Sequence, residues 1–259
     1  MTIQYCSDLH LEFLQNRSYL KDYPIIPSGE VLLLAGDIMP LGEISKFNDF
    51  IDPLADQFAA VYWVPGNHEY YGFDIAHKPM AFMEKIRSNF FLANNQCIQY
   101  KNVNLVLSTL WSHISPRYEV DIQLSVSDFT AIKFEGHRLI TTQFNSLHNA
   151  CRDFLKGIIQ DLKTQGQFNK TIVVTHHVPT LLNYPRYFRM SPLNEAFVVD
   201  LTEFIADSNV DYWLYGHHHA NTPEFEIGAT KLITNQLGYV ANNEHGSFRR
   251  DTCCLISKE

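Results

Sequence analysis

The sequence predicts an α/β fold, and three observations predict it. Short continuous apolar runs, among them Val31–Ala35, Ala60–Val64 and Thr171–Thr175, read as strands covered on both faces. Between them lie stretches whose apolar residues recur at three- and four-residue steps, the period of a helix with one buried face. Each strand-like run also ends abruptly in polar residues, Asp, Asn or His, and the carboxyl ends of strands are where open α/β sheets bind ligands. Alternation alone would suggest βαβ units wound into one parallel sheet.

Taken in order, Ile3–Cys6 is the first strand, and Val31–Ala35 is a central one, closed by Gly36. A helix is expected from about Glu43 to Phe58, where Ile44, Phe47, Ile51, Leu54 and Phe58 share a face. Ala60–Val64 is the third strand, and a further helix is expected between about Ala76 and Ser88. Cys97–Tyr100 and Asn104–Leu107 form a hairpin across Lys101-Asn102-Val103. Residues 113–138 show no clean period and read as an insertion near the site. Thr141–Lys163 is the longest helical pattern, ended by Gly166. After the strand Thr171–Thr175, a loop rich in Pro, Tyr and Arg spans Pro179–Pro192 as a second insertion. A helix from about Phe197 to Asp207, the strand Tyr212–Tyr215, and short strands at Phe225–Ile227, Lys231–Ile233 and Cys253–Ile256 complete the chain. We expect a single domain over residues 1–259.

Composition narrows the function. A formal charge of -8 leaves no broad basic field for duplex nucleic acid, whose binding needs clustered Lys and Arg. No apolar run is long enough to span a bilayer, and the amino terminus enters a strand without a signal-peptide pattern, so a cytoplasmic protein is expected. The 5 cysteines are scattered and lack a CxxC spacing, which reads as free thiols rather than disulfides or a thiolate zinc site. Of the 12 histidines, His176, His177, His217, His218 and His219 cluster in two segments.

Those segments belong to a larger set: Asp8-Leu9-His10, Gly36-Asp37, Gly66-Asn67-His68-Glu69, Thr175-His176 and Gly216-His217-His218-His219, each at a strand exit. Asp8 and His10, two apart, would share a face of an extended chain. A carboxylate such as Asp37 has two oxygens and can bridge two cations. The mixed nitrogen and oxygen donors suit Mn²⁺, Fe²⁺/Fe³⁺ or Zn²⁺, with Mn²⁺ favoured, rather than the all-oxygen shell of Ca²⁺.

In this order the motifs resemble the calcineurin-like metallophosphoesterases, with their DxH, GD, GNH[ED], lone His and GHxH pattern between Asp8 and His219. The resemblance implies an αββα sandwich of two mixed sheets flanked by helices, a four-layer architecture. It implies that Asp8, His10 and His219 bind one divalent ion, that Asn67, His176 and His217 bind a second, and that Asp37 bridges them. His177 is the alternative to His176. It also implies that His68 is catalytic, approaching the leaving group or the attacking water rather than a metal, so that Asp37 and His68 form the catalytic pair. Where relatives carry a further Asp after the bridging one, this chain has Pro40, which removes a supporting hydrogen bond.

Outside the metal set, His113 follows a strand and is either a substrate contact or a loop residue. Arg186 and Arg189, flanked by Tyr184 and Tyr187, either bind phosphate or form a solvated face. Glu69 either orients His68 or faces solvent. Asn235-Gln236-Leu237-Gly238-Tyr239 resembles an NPRGY-like turn of relatives, without its Pro and Arg. The expected function is hydrolysis of a phosphate ester or diester, with a nucleotide or other small phosphorylated substrate favoured. The alternatives are a single-strand nuclease, a phosphoprotein phosphatase, or a fold retired to binding. Closed structural zinc sites do not use Asp and Asn at strand ends, and the sequence assigns no protein partner.

Overall fold

The computed structural model describes residues 1–165 and 169–256. Its first half runs β1 (Thr2–Cys6), α1 (Leu14–Asp22), β2 (Val31–Ala35), α2 (Asn48–Gln57), β3 (Ala60–Val64), β4 (Phe82–Arg87) and β5 (Phe90–Asn94). Then follow β6 (Gln96–Tyr100), β7 (Val103–Ser108), α3 (Glu119–Ser125), α4 (Asp128–Ala131), β8 (Lys133–Phe134), β9 (His137–Arg138) and α5 (Thr141–Thr164). The remainder is β10 (Lys170–Thr175), α6 (Thr202–Ser208), β11 (Tyr212–Leu214), β12 (Phe225–Ile227), β13 (Thr230–Ile233) and β14 (Cys253–Leu255).

Two mixed sheets result, ordered β14-β1-β2-β3-β5-β4 and β12-β13-β11-β10-β7-β6. Strand alternation explains why both must be covered twice. Val31, Leu33 and Ala35 of β2 face β7, β10 and β11 through Leu105, Leu107, Val174 and Leu214. Leu32 and Leu34 face the other way, onto Leu20 of α1 and Ile51 and Leu54 of α2. The second sheet repeats this pattern, with Val106, Val173 and Trp213 packed against Leu155 and Ile159 of α5 and Ile205 of α6. A strand apolar at every position therefore belongs to the middle of four layers, α, β, β, α. A single doubly wound sheet is not formed, because the chain passes from β5 to β6 in the second sheet instead of returning to the first.

Three expectations are corrected in detail. Residues 76–88 are not a helix: Phe82–Arg87 pairs antiparallel with Phe90–Asn94, and Pro79 precedes a kink held by Asn94 and Asn95, which both donate to the Met80 carbonyl. The Glu43–Phe58 segment divides into a 3₁₀ turn, Leu41–Phe47, and α2, and the helix expected from Phe197 begins only at Thr202. The Gly166 terminus of the long helix lies outside the described residues. Residues 113–138 fold as α3, α4 and the β8–β9 hairpin over Trp111, Phe144 and Leu147, anchored by Ile122, Phe129 and Ile132.

One buried carboxylate positions the loops that leave β2 and β3. Glu69 has no exposed surface, so it neither faces solvent nor orients His68. Its Oε2 accepts from the Asp37 and Gly66 amides at 2.9 and 2.6 Å, and its Oε1 accepts from the Ile38 amide at 2.7 Å and the Trp63 indole at 3.0 Å. Burial and the nearby Asp37 charge push this carboxyl up to about 8, against the N–H donors that favour its charged form. Glu69→Ala should therefore cost about 3–5 kcal/mol in urea denaturation, since it strands buried donors around an emptied site. Leu255→Ala, at a side chain 67% exposed, should stay within about 0.5 kcal/mol.

Candidate metal centre

The ligand-bearing turns are shaped by backbone rather than by extended alternation. Asp8, His10, Asp37, His217 and His219 all adopt left-handed conformations, with φ between 48° and 81°. For residues with a Cβ this is costly, and it persists only where the surroundings enforce it. Here the loops enforce it on one another: the amides of Asp8 and His10 donate to the carbonyls of Gly36 and Asp37 at 2.9 Å, and Gly216 donates to His176. The expected sharing of a strand face by Asp8 and His10 is thus replaced by two left-handed residues beyond the end of β1. At Gly36, itself at φ +89°, a Cβ would meet His176 Nδ1 at 2.2 Å, so side chains of the second sheet occupy the space that glycine leaves.

Seven polar side chains expected from the sequence converge. Ligating atoms of Asp8, His10 and His219 lie within 4.8 Å of one another, and so do those of Asp37, His176 and His217. Asp37 stands between the groups, its Oδ1 at 3.3 Å from His176 Nε2 and its Oδ2 at 3.8 Å from His10 Nε2. Asn67 joins the second group through Oδ1, at 3.0 Å from His176 Nε2.

The protons of this cluster can be assigned from its hydrogen bonds, and they show why a cation fits. His10 Nδ1 donates to Glu12 at 3.1 Å, and His219 Nδ1 donates to Glu244 at 2.7 Å. Their Nε2 atoms then face each other as lone pairs at 2.9 Å. His176 Nδ1 donates to the Ala35 carbonyl, and its Nε2 lies 3.3 Å from Asp37 Oδ1 and 3.0 Å from Asn67 Oδ1. Burial alone would lower the His176 pKa, but Asp37 carries it up to about 10, so the position demands positive charge. A divalent cation answers both groups, and the carboxylate and carbonyl partners on the distal nitrogens are the supports that metal-bound imidazoles require. His217 is held neutral by burial and by His177, and its Nε2 lies 3.3 Å from the Ala196 carbonyl, leaving Nδ1 for the cluster.

His177 is not part of either group. It is fully buried with both nitrogens unpartnered, against Trp111 and His217, and burial with the His176 charge holds it neutral. His218 instead contacts Gln236, whose Oε1 also accepts from the His219 amide at 2.7 Å. The substitution in the Gln236-Leu237 turn thus supplies a brace for the histidine loop.

His68 sits beside the cluster. Its amide donates to Asp37, and its Nδ1 meets Glu12 Oε1 at 2.8 Å. Its ring stacks on Tyr71 at 4.0 Å. Burial opposes a charge here, but Asp37 and Glu12 outweigh it and raise the His68 pKa to about 9. Three carboxylates were not foreseen as site residues: Glu12, Asp128 and Glu244. Glu12 continues the two-residue spacing of Asp8 and His10, a signal that was there to be read. Asp128 accepts from Asn67 Nδ2 and from the Tyr71 hydroxyl, each at 2.8 Å, which turns the Asn67 oxygen toward His176. Neither its sequence context nor that of Glu244 marks it.

Above the cluster lies a cavity of about 480 Å³ whose walls include Phe13, Tyr71, Asp128, Phe188, Phe197 and Tyr239. Both insertions contribute. His113 does not: it is exposed and lines a different depression, beside Glu119 and Asn145. Arg186 and Arg189 are exposed and also absent from the walls; Arg189 donates to the Tyr184 carbonyl, and it is Tyr184 and Phe188 of that loop that reach the cavity. No helix among the described residues is long and apolar enough to cross a membrane.

Comparisons with known proteins agree with this geometry. Residues 1–221 match the family model described as calcineurin-like phosphoesterase. An uncharacterized protein of Acanthamoeba polyphaga mimivirus is 32% identical over 271 residues, covering 95% of this chain and 93% of the viral one. The phosphopantetheinyl hydrolase of Mycobacterium tuberculosis superimposes with a TM-score of 0.64 at 17% identity, over 92% of this chain and 89% of that one. A dimetal phosphatase from Danio rerio gives 0.43 at 12% identity, over 91% and 87%. A four-layer sandwich with clustered donors at its strand exits, matched along most of its length, is a hydrolase of phosphoric esters, and the chain belongs to the calcineurin-like phosphoesterase family.

Proposed function

We propose that this phosphoesterase uses two divalent cations and water to cleave a phosphate ester or diester of a small substrate. The observation that carries the proposal is the pair of Nε2 atoms of His10 and His219 facing each other at 2.9 Å, each ring backed by a carboxylate at Nδ1. Asp8, His10 and His219 would hold one cation, Asn67, His176 and His217 the other, and Asp37 both. When bound, such a pair supplies Lewis acidity that activates water and offsets charge growing on the phosphoryl oxygens. Mn²⁺ is the first choice for this donor set. The free thiols of all five cysteines are in keeping with a cytoplasmic setting.

The protein's own residues supply positioning and a proton. His68, charged through Asp37 and Glu12, can donate from Nε2 to the departing oxygen, while Glu12 fixes the ring through Nδ1. The Tyr239 hydroxyl lies 3.4 Å from that Nε2 and borders the same space. Glu12 reaches His68 from the loop that follows β1. Because it also holds His10, one carboxylate aligns a ligand and the acid together. Asp128 locks the amide of Asn67 so that oxygen, not nitrogen, faces the cluster. With every proposed ligand and His68 in place, the retired-scaffold alternative has no missing group to support it.

Two outcomes test this reading. In Asp37→Ala, metal content measured by mass spectrometry should fall from about two ions to one or none, because both groups lose the carboxylate between them. His68→Ala should keep its metal yet lose about 10²–10⁴ in kcat on an alkyl phosphodiester, and Glu12→Gln should lose less, with a smaller deficit on nitrophenyl esters, whose leaving group needs no proton. Equal losses on both leaving groups would count against proton donation by His68.

A further inference from the structure

The walls of the cavity are poor in positive charge. Among the described residues that line it none is Lys or Arg, although the chain has 20 of them. The carboxylates present are Asp37, Asp128 and Glu244, and the one cationic side chain, His68, is already engaged by Asp37 and Glu12. Glu244 is matched by His219, and Asp128 is fully buried with Oδ2 unpartnered. Cations bound at the cluster and His68 would serve the one phosphoryl group undergoing reaction, and no lysine or arginine among the described lining residues answers a second anionic group. The two arginines nearest in sequence, Arg186 and Arg189, lie on the exposed side of their loop.

The rest of the lining has a consistent chemistry. Aromatic faces come from Phe13, Tyr71, Phe188, Phe197 and Tyr239, drawn from five separate segments of the chain. Neutral hydrogen-bonding groups come from the insertions: Ser125 and Ser127 from the first, Ser191 and Asn194 from the second and its edge. A volume of about 480 Å³ exceeds the need of a phosphate alone and falls in the range of sites for small organic ligands.

Resting on the phosphohydrolase reading above, we infer that the cavity selects phosphoesters whose organic groups are uncharged, apolar in large part and equipped with neutral hydrogen-bonding groups. Nucleoside polyphosphates, nucleic-acid strands and acidic phosphopeptides are disfavoured, because each brings further anions against Asp128 and Glu244 with no lysine or arginine to receive them. The selection is built by the cavity walls around the cluster, to which the two insertions bring Asp128, Phe188 and the serines.

The experiment compares two substrates that share a reacting group and a leaving group. Thymidine 5′-(4-nitrophenyl phosphate) is neutral beyond its diester, and its 3′-phosphorylated form adds one anionic group. With Mn²⁺-loaded protein, kcat/KM for the neutral substrate should exceed that for the 3′-phosphorylated one by at least tenfold. Calorimetric binding should follow the same order, thymidine 5′-monophosphate ahead of thymidine 3′,5′-bisphosphate. Ser125→Arg, which places a cation on the wall, should narrow both ratios. Equal or greater kcat/KM and affinity for the 3′-phosphorylated compounds would overturn the inference while leaving the hydrolase reading intact. Metal-loaded protein that turns over neither substrate would overturn both.

Discussion

The centre depends on the burial of one carboxylate. Glu69 gathers the amides of Asp37, Ile38 and Gly66 and the Trp63 indole onto its two oxygens, in a place without exposed surface. The loops leaving β2 and β3 therefore cannot move independently. Asp37 is carried by one loop, Asn67 and His68 by the other, and the distance between them is set by a carboxyl group shared by both backbones. A buried polar group is expensive unless its lone pairs are filled, and here each oxygen accepts two donors. The same residue that reads as the last letter of a catalytic motif is thus a strut between strands.

The second constraint is conformational. A row of left-handed residues places Asp8, His10, Asp37, His217 and His219 in one small volume, and the backbone bonds among their loops hold that strained arrangement. Donor direction is then fixed from outside. Glu12, Glu244, Ala35 and Asp128 each bind one side of a clustered side chain and so fix which way it turns. These outer contacts orient the donors of the cluster toward one another.

How much of this was legible in the sequence follows from burial. β2 and β3 were evident because each is covered on both faces and so is apolar throughout, and β1 and β10 because their buried positions are mostly apolar. The β4–β5 hairpin was not, because Phe82 and Ile86 are four apart, and an edge strand with partly exposed residues imitates a helical face at that spacing. α1 was missed for a related reason: it buries Asn16, whose amide serves the Leu9 and Gly238 carbonyls, and it leaves Leu14 exposed. The clustered side chains themselves were legible because each follows a buried strand. The residues that orient them come from loops and from an aperiodic insertion, where no period exists to be read.

One feature of the first sheet bears on how the chain reaches its native state. β14 pairs with β1, Thr2 opposite Leu255, and the terminal amine of Met1 donates to the Ile256 carbonyl. A chain made from its amino end thus displays β1 with an open flank until residues 253–255 emerge, and an open strand flank invites pairing with other chains. Since β1 leads directly into Asp8 and His10, a strand far along the chain seals the border of the layer that presents these two residues. Assembly of the cluster therefore waits on a segment distant in sequence from Asp8.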